Sequence, residues 1–194
     1  MKTGLVQLPI ATRDGIFLAH YSDRGLSELD FPNPDGLILS PDVAASGRPL
    51  KKQIRDWHRL TAAALKSILA GRAPKTLPPL DWTGHTEFQT SVWRQMLKLG
   101  PGKTKSYGEI AAAIGKPKAV RAVGGACGAN PIPVLVPCHR ILAANHKIGG
   151  FSSGLAWKRK LLAREGVNLD EADCPSPNNS RQSKIPMKSF SLLK

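Results

Sequence analysis

Hydrophobic positions in residues 4–31 fall into two short runs, Ile16-Phe17-Leu18-Ala19 and Leu26-Ser27-Glu28-Leu29, separated by Ser22-Asp23-Arg24-Gly25. Small polar residues and a glycine between apolar runs favour a tight reversal, so the spacing predicts a hairpin. From residue 50 to 71 the period changes. Ile54, Trp57, Leu60, Ala64, Leu65, Ile68 and Leu69 recur at threes and fours, which is one face of a helix, and Gly71 supplies its stop. The stretch Ala73-Pro-Lys-Thr-Leu-Pro-Pro-Leu-Asp-Trp82 is rich in proline, cannot sustain a helix and reads as an extended crossing. A boundary is therefore placed near residue 82, with 1–82 a small α/β module that reads as scaffold.

Beyond the boundary the pattern is mainly helical. Thr86-x-x-Gln89 has the form of a capping box, followed by Phe88, Val92, Met96 and Leu97 on one face, and Gly100-Pro101-Gly102 ends the element. Ser106-Tyr-Gly-Glu109 is a second capping box, opening Ile110-Ala-Ala-Ala-Ile114, which stops at Gly115. Pro117 suits the first turn of a further helix carrying Ala119, Val120, Ala122 and Val123. Two short helices joined at Gly115-Lys116 make a helix-turn-helix pattern, with Lys116, Lys118 and Arg121 expected on the second helix. Asn130-Pro131 closes this part. A strand-like run, Ile132-Pro-Val-Leu-Val136, leads to Cys138; a loop with Gly149, Gly150 and Gly154 follows, and a last helix over 155–164 ends in Glu165-Gly166. The fold class is α+β: the N-terminal module, then a mainly helical, winged-helix-like domain over 83–170. Residues 171–194, rich in Pro, Ser and Asn with basic residues and few acids, read as a disordered basic tail.

Candidate chemistry centres on Pro137-Cys138-His139-Arg140. A thiol is a good nucleophile only as thiolate, and an unassisted cysteine with a pKa of about 8.5 is mostly protonated at neutral pH. An adjacent imidazole can take that proton, directly or through one water. Pro133 and Pro137 bracket the segment and limit its freedom. Glu165 stands at a helix C-terminus, the negative end of the macrodipole, so it is either solvated or matched by a cation or imidazole elsewhere.

Charge narrows the partner. The 194 residues carry 28 Lys and Arg against 14 Asp and Glu, a formal net charge of +14. Residues 1–100 hold 13 basic and 9 acidic side chains; residues 101–165 hold 11 basic and only Glu109 and Glu165 as acids. A stretch so depleted in acids points to phosphates, nucleic acid before acidic membrane. Cys127, Cys138 and Cys174 show no disulfide framework, and the five histidines and three cysteines no metal-ligand spacing. Nothing resembles a signal peptide or a membrane span. The expectation is a soluble intracellular protein, in the cytoplasm of a prokaryote or the nucleus of a eukaryote.

The ordered set Ser106-Tyr107-Gly108-Glu109, Arg121-Ala-Val-Gly-Gly125, Asn130-Pro131, Pro137-Cys-His-Arg140, Gly150-Phe-Ser152 and Glu165-Gly166 resembles the O6-alkylguanine-DNA alkyltransferases. The resemblance is close over about 84–167 and loose over 1–83. It implies that Cys138 accepts the alkyl group and is spent, that His139 is the general base through a water, and that Glu165 orients the imidazole. It further implies that Asn130 holds the turn, that Tyr107 donates a proton to the departing guanine, and that Arg121 fills the stack vacated by the flipped nucleotide. Ser152, with backbone groups near Cys138 and Ile141, would bond the guanine edge, and Phe151 would pack on the base where many members carry tyrosine. Lys116, Lys118, Arg121, Gly124, Gly125 and Arg140 would face DNA. The implied partner is double-stranded DNA containing alkylated guanine (O4-alkylthymine a further candidate), met through the minor groove by a monomer, with no cofactor and no metal. Ser153, often glycine in the family, would narrow the pocket.

Other readings share parts of this pattern. A Cys-His hydrolase or amidotransferase would share the nucleophile but would not need the basic helix-turn-helix. An alkyltransferase-like lesion-binding protein would share the DNA surface, but such proteins typically lack the cysteine that this chain retains.

Overall fold

The computed structural model describes residues 5–32 and 50–169. The tail expected over 171–194, and Cys174 with it, lies outside the described residues.

Three antiparallel strands, β1 (Val6–Thr12), β2 (Gly15–Tyr21) and β3 (Leu26–Asp30), form a sheet in that order. The predicted hairpin is β2–β3. The strand before it was not anticipated, although Leu8 and Ile10 alternate inward while Pro9 and Ala11 face out. Pro9 is compatible because β1 is an edge strand, where a missing N–H leaves no central ladder broken. Helix α1 (Lys52–Leu69) follows the predicted periodicity and buries Ile54, Trp57, Ala64, Leu65, Ile68 and Leu69.

The remaining elements are α2 (Glu87–Leu97), β4 (Lys105–Ser106), α3 (Tyr107–Ala113), α4 (Val120–Gly128), β5 (Ile141–Leu142) and α5 (Leu155–Arg164). Both capping boxes form: Thr86 Oγ1 accepts from Gln89 N, and Ser106 Oγ accepts from Glu109 N, each at 3.2 Å, with the reciprocal bonds present. The second box fixes the start of α3, so Tyr107 is its first residue. Trp93 of α2 is fully buried and donates Nε1–H to Ala126 O at 2.8 Å, which sets the distance between α2 and α4. The short β4 pairs in parallel with β5, bringing the start of α3 beside the residues that follow Cys138.

Pro117 and Lys118 lie in the turn before α4, so the expectation that Pro117 opens that helix is corrected. Lys116 and Lys118 belong to the connection; Arg121 alone of the three is helical. With Ala119 as the residue before the helix, the chain needs Lys116–Lys118 to swing round from Gly115, whose φ is +71°.

One hydrophobic core runs across the boundary at residue 82. The N-terminal module also grips the second half directly. Leu29 N donates to Pro131 O at 2.9 Å, and Asp14 in the β1–β2 turn receives Arg164 at 2.6 and 2.8 Å and Lys160 at 2.7 Å. Gly71 passes so close to the end of α5 that a Cβ there would stand 1.9 Å from Arg164 O. These ties hold both ends of the segment carrying the candidate chemistry. No helix among the described residues is long and apolar enough to cross a membrane.

Candidate active site

The segment before Cys138 is a compact turn rather than the expected strand. Val134 sits at φ +71°, a region a β-branched side chain rarely adopts and one that costs roughly 1–3 kcal/mol. Asn130 holds the turn against that strain. Its Oδ1 accepts from Ile132 N at 3.1 Å, and its Nδ2 donates to Val136 O at 2.8 Å and to Cys138 Sγ at 3.2 Å. Cys138–Arg140 then form a single 3-10 turn that runs into β5. Apolarity alone reads as strand; the clamp from Asn130 makes it a turn that presents a sulfur.

Cys138 lies at the base of a cavity of about 140 Å³, shared with Tyr107, Phe151, Ser152, Cys127 and the glycines 124, 128 and 150. Five expected site residues thus line one pocket: Cys138, Tyr107, Phe151, Ser152 and Gly124, the last expected to face DNA. Ser153 is not among the lining residues. Cys127, expected to be merely packed on a helix, does line the pocket; burial pushes its thiol up to about 12, which keeps it neutral. Gly149, at φ +65°, lies against Tyr107, and a Cβ there would stand 3.2 Å from the phenol oxygen. The tyrosine hydroxyl and the glycine loop therefore define one wall together.

Beneath the pocket lies a buried polar network. His139 is fully buried and its Nε2 bonds Glu165 Oε1 at 3.0 Å. A carboxylate can only accept, so Nε2 carries the hydrogen and Nδ1 keeps its lone pair; Nδ1 has no protein partner. Glu165, whose side chain is 1 % exposed, also receives Arg140 Nε and Nη2 at 3.0 and 2.8 Å and Gly102 N at 3.1 Å. Of the two readings of this helix-end carboxylate, the solvated one is overturned. Burial raises its pKa, yet the hydrogen bonds from His139 and Arg140 and their charges outweigh burial and hold it down at about 2.

Arg140 was expected to face DNA. It is 4 % exposed, bound to Glu165 and to the Leu99 carbonyl, and is a structural counter-ion; its partners lie far away in sequence, so no local signal marks it.

Burial pushes the Cys138 thiol up, against the Asn130 bond, the charge of Lys158 and backbone N–H groups that pull it down. Burial also lowers His139, more than Glu165 raises it. The resting pair is thiol and neutral imidazole, so the thiolate forms when its proton is taken.

Lys158 was missed in the sequence. It is fully buried, and its Nζ donates to Ile141 O at 2.6 Å and Gly150 O at 3.1 Å. In Trp157-Lys-Arg-Lys160 it looks like one of several solvated charges, but it falls three and four residues before the buried Leu161 and Leu162, on the apolar face.

Away from the pocket floor, Arg121 and Gly125 are exposed on α4, and a Cβ at Gly124 or Gly125 would meet nothing within 4 Å. Lys116 and Lys118 are exposed beside them, Lys116 with its ammonium 5.4 Å from the Phe88 ring centre. Among the described residues no group of three or more His, Cys, Asp or Glu could hold a metal ion.

Residues 87–167 match the family description "6-O-methylguanine DNA methyltransferase, DNA binding domain". A methylated-DNA–protein-cysteine methyltransferase of Methanosarcina acetivorans is 39% identical over 153 residues, which is 78% of this chain and 92% of that protein. The solved O6-methylguanine methyltransferase of Mycobacterium tuberculosis superposes with a TM-score of 0.62 at 31% identity, covering 89% of this chain and 96% of that one. A further structure of the Mycobacterium tuberculosis protein, in complex with DNA, gives a TM-score of 0.59 at 30% identity over 87% of this chain and 94% of that one.

Proposed function

This chain belongs to the methylated-DNA–protein-cysteine methyltransferases, and on that premise we propose that it repairs O6-alkylguanine in DNA by moving the alkyl group irreversibly onto Cys138. The observation that carries the reading is a pocket-lining cysteine followed directly by a buried histidine, whose Nε2 is held by a buried carboxylate and whose Nδ1 has no protein partner.

The guanine inside a duplex cannot reach a protein thiol. The nucleotide must be extruded, at a cost of a few kcal/mol, less for a lesion that pairs poorly. Arg121, exposed on a helix face of small residues, fills the gap. A minor-groove approach by a monomer fits that face, since the bare glycines let the backbone come close. In the pocket Phe151 packs on the base, while Ser152 and backbone groups near Ile141 meet its polar edge. His139 Nδ1 takes the thiol proton through a water, and Glu165 holds the imidazolium that results. The sulfur attacks the alkyl carbon; the S–C bond forms as the C–O6 bond breaks. Tyr107 gives its proton to the departing guanine and regains one from the solvent or the histidine. The thioether left on Cys138 is not hydrolysed, so each molecule acts once, and no cofactor enters the balance.

Intact-mass measurement after incubation with duplex DNA carrying O6-methylguanine tests this. The expected result is one added methyl group per chain, mapped to the peptide with Cys138, with transfer stopping at one equivalent. Continued turnover by unmodified protein would favour a hydrolase, and tight binding without any mass gain a lesion-binding protein.

A further inference from the structure

We propose that Phe31, contributed by the N-terminal module, is a positioning residue for base binding: it holds the ring of Phe151 at the angle at which the pocket takes an alkylated guanine. This rests on the pocket being the place where that base reacts. Phe151 lines the pocket together with Cys138, and Phe31 meets it edge-on, with ring centres 6.0 Å apart and planes at 85°. Phe31 in turn lies 4.8 Å from the Trp157 ring on α5 and 5.3 Å from that of Phe17 on β2, which is fully buried. Four rings from both halves of the chain thus lead from the sheet to the pocket wall.

The two ends of this chain of rings differ in what holds them. Phe31 directly follows β3, whose Asp30 pairs with Leu18 in the sheet and meets His20 Nε2 with its carboxylate at 2.7 Å. Pro32, on its other side, closes down on the start of β2, where a Cβ at Gly15 would stand 2.8 Å from Pro32 Cβ. The backbone on both sides of Phe31 is therefore fixed. Phe151 instead follows Gly149 and Gly150 and precedes Gly154, with φ +65° at Gly149 and +89° at Gly154, and glycine restrains a loop least. Among the described residues, Phe31 is the ring that Phe151 meets. Core filling does not account for the contact, because Phe17 already takes the buried position while Phe31 and Phe151 are both half-buried. An edge-on pair fixes orientation, since the positive edge of one ring is drawn to the negative face of the other. In a cavity of about 140 Å³, the tilt of one wall ring decides whether a purine can lie against it.

The test is the reaction with free O6-benzylguanine, which needs the pocket but no DNA, in Phe31→Leu, Phe31→Tyr and Phe151→Ala and in the double variant of Phe31→Leu with Phe151→Ala. Phe31→Leu keeps an apolar side chain and removes the ring. It should raise the half-saturating concentration by about two- to tenfold, the worth of an edge-on aromatic pair, and leave the limiting rate in place. Phe31→Tyr keeps the ring and should restore the original affinity. Alkylation of Cys138 by iodoacetamide, read by peptide mass, should be the same in Phe31→Leu as in the unaltered protein, because that reagent has no base to seat. In the Phe151→Ala background, Phe31→Leu should cost nothing further, since its effect passes through the missing ring. Equal losses with and without Phe151 overturn the proposal, as does a lower melting temperature with affinity, limiting rate and iodoacetamide reactivity all falling together. A reactive protein whose Phe31→Leu variant keeps its affinity sinks this role alone. An unaltered protein that takes no benzyl group sinks the functional reading, and this role with it.

Discussion

Beneath the pocket floor, His139, Arg140, Glu165, Asn130 and Lys158 are packed out of water and bonded to one another or to backbone groups of the fold. On the α3–α4 hairpin a few residues off, Lys116, Lys118 and Arg121 stand in solvent beside bare glycines. Both regions are rich in charge, yet the charge does different work. A buried charge is part of the fold, and removing its partner leaves an uncompensated ion. An exposed one adds little to stability and acts on whatever approaches. The floor should therefore respond to mutation in chemistry and stability together, and the hairpin chiefly in DNA-dependent steps.

The strongest test of that contrast is Glu165→Gln. Loss of the carboxylate leaves His139 without its anionic partner and the Arg140 guanidinium buried without a counter-ion. Transfer should slow by about 10²–10⁴, the usual share of general acid–base catalysis, and stability should fall by about 3–5 kcal/mol, as when a buried pair is broken. Single-turnover kinetics and urea unfolding read the two losses. The acid limb follows with its sign. The folded pKa of Glu165, about 2, lies below its ordinary 4.5, so its contribution is complete above 4.5 and is lost as pH falls through the folded value. His139, lowered from 6.5 by burial, has the same sign and begins to cost stability below 6.5. Glu165→Gln should flatten the limb between about 4.5 and 2. A variant with the original rate and limb would return Glu165 to an inert helix end.

Arg121→Ala comes next and should fall on the other side of the contrast. Transfer from a lesion in duplex DNA should drop well below transfer from free O6-benzylguanine, with the melting temperature unchanged. Equal losses on both substrates would make Arg121 a structural or pocket residue and erase the division between floor and hairpin.

The same division explains what could be read from the sequence. Capping boxes at Thr86 and Ser106 are contained in four residues, so their spacing is sufficient evidence for where α2 and α3 begin. The helical period of α1 is likewise local. Arg140 and Lys158 were misjudged or missed because their settings depend on contacts 25 and 17 residues away, with Glu165 and Ile141. The run Ile132–Val136 has the apolarity of a strand, and only the side chain of Asn130 together with the positive φ of Val134 makes it a turn. Phe31, outside the expected site, packs edge-on against Phe151 with ring centres 6.0 Å apart, so the N-terminal scaffold reaches the pocket wall by a contact no motif encodes.

The smallest expected effect is at Lys116 and Lys118. Both lie exposed in the connection before α4 rather than on the helix, so the expected role is a phosphate contact and not entry into the stack. Each phosphate neutralised by a lysine releases condensed counterion, so Lys118→Ala should weaken DNA binding evenly across sequences and lower the salt slope by about one charge. Lys116→Ala should do somewhat less on DNA, since its ammonium also sits over the Phe88 ring, and should cost about 0.5–1 kcal/mol of stability through that contact. Transfer from free O6-benzylguanine should be untouched in both, because neither residue lines the pocket. Binding titrations at several salt concentrations, beside free-base kinetics, give the comparison. A slope that stays the same while free-base transfer falls would place these lysines with the floor, and the separation of chemistry from docking would not hold.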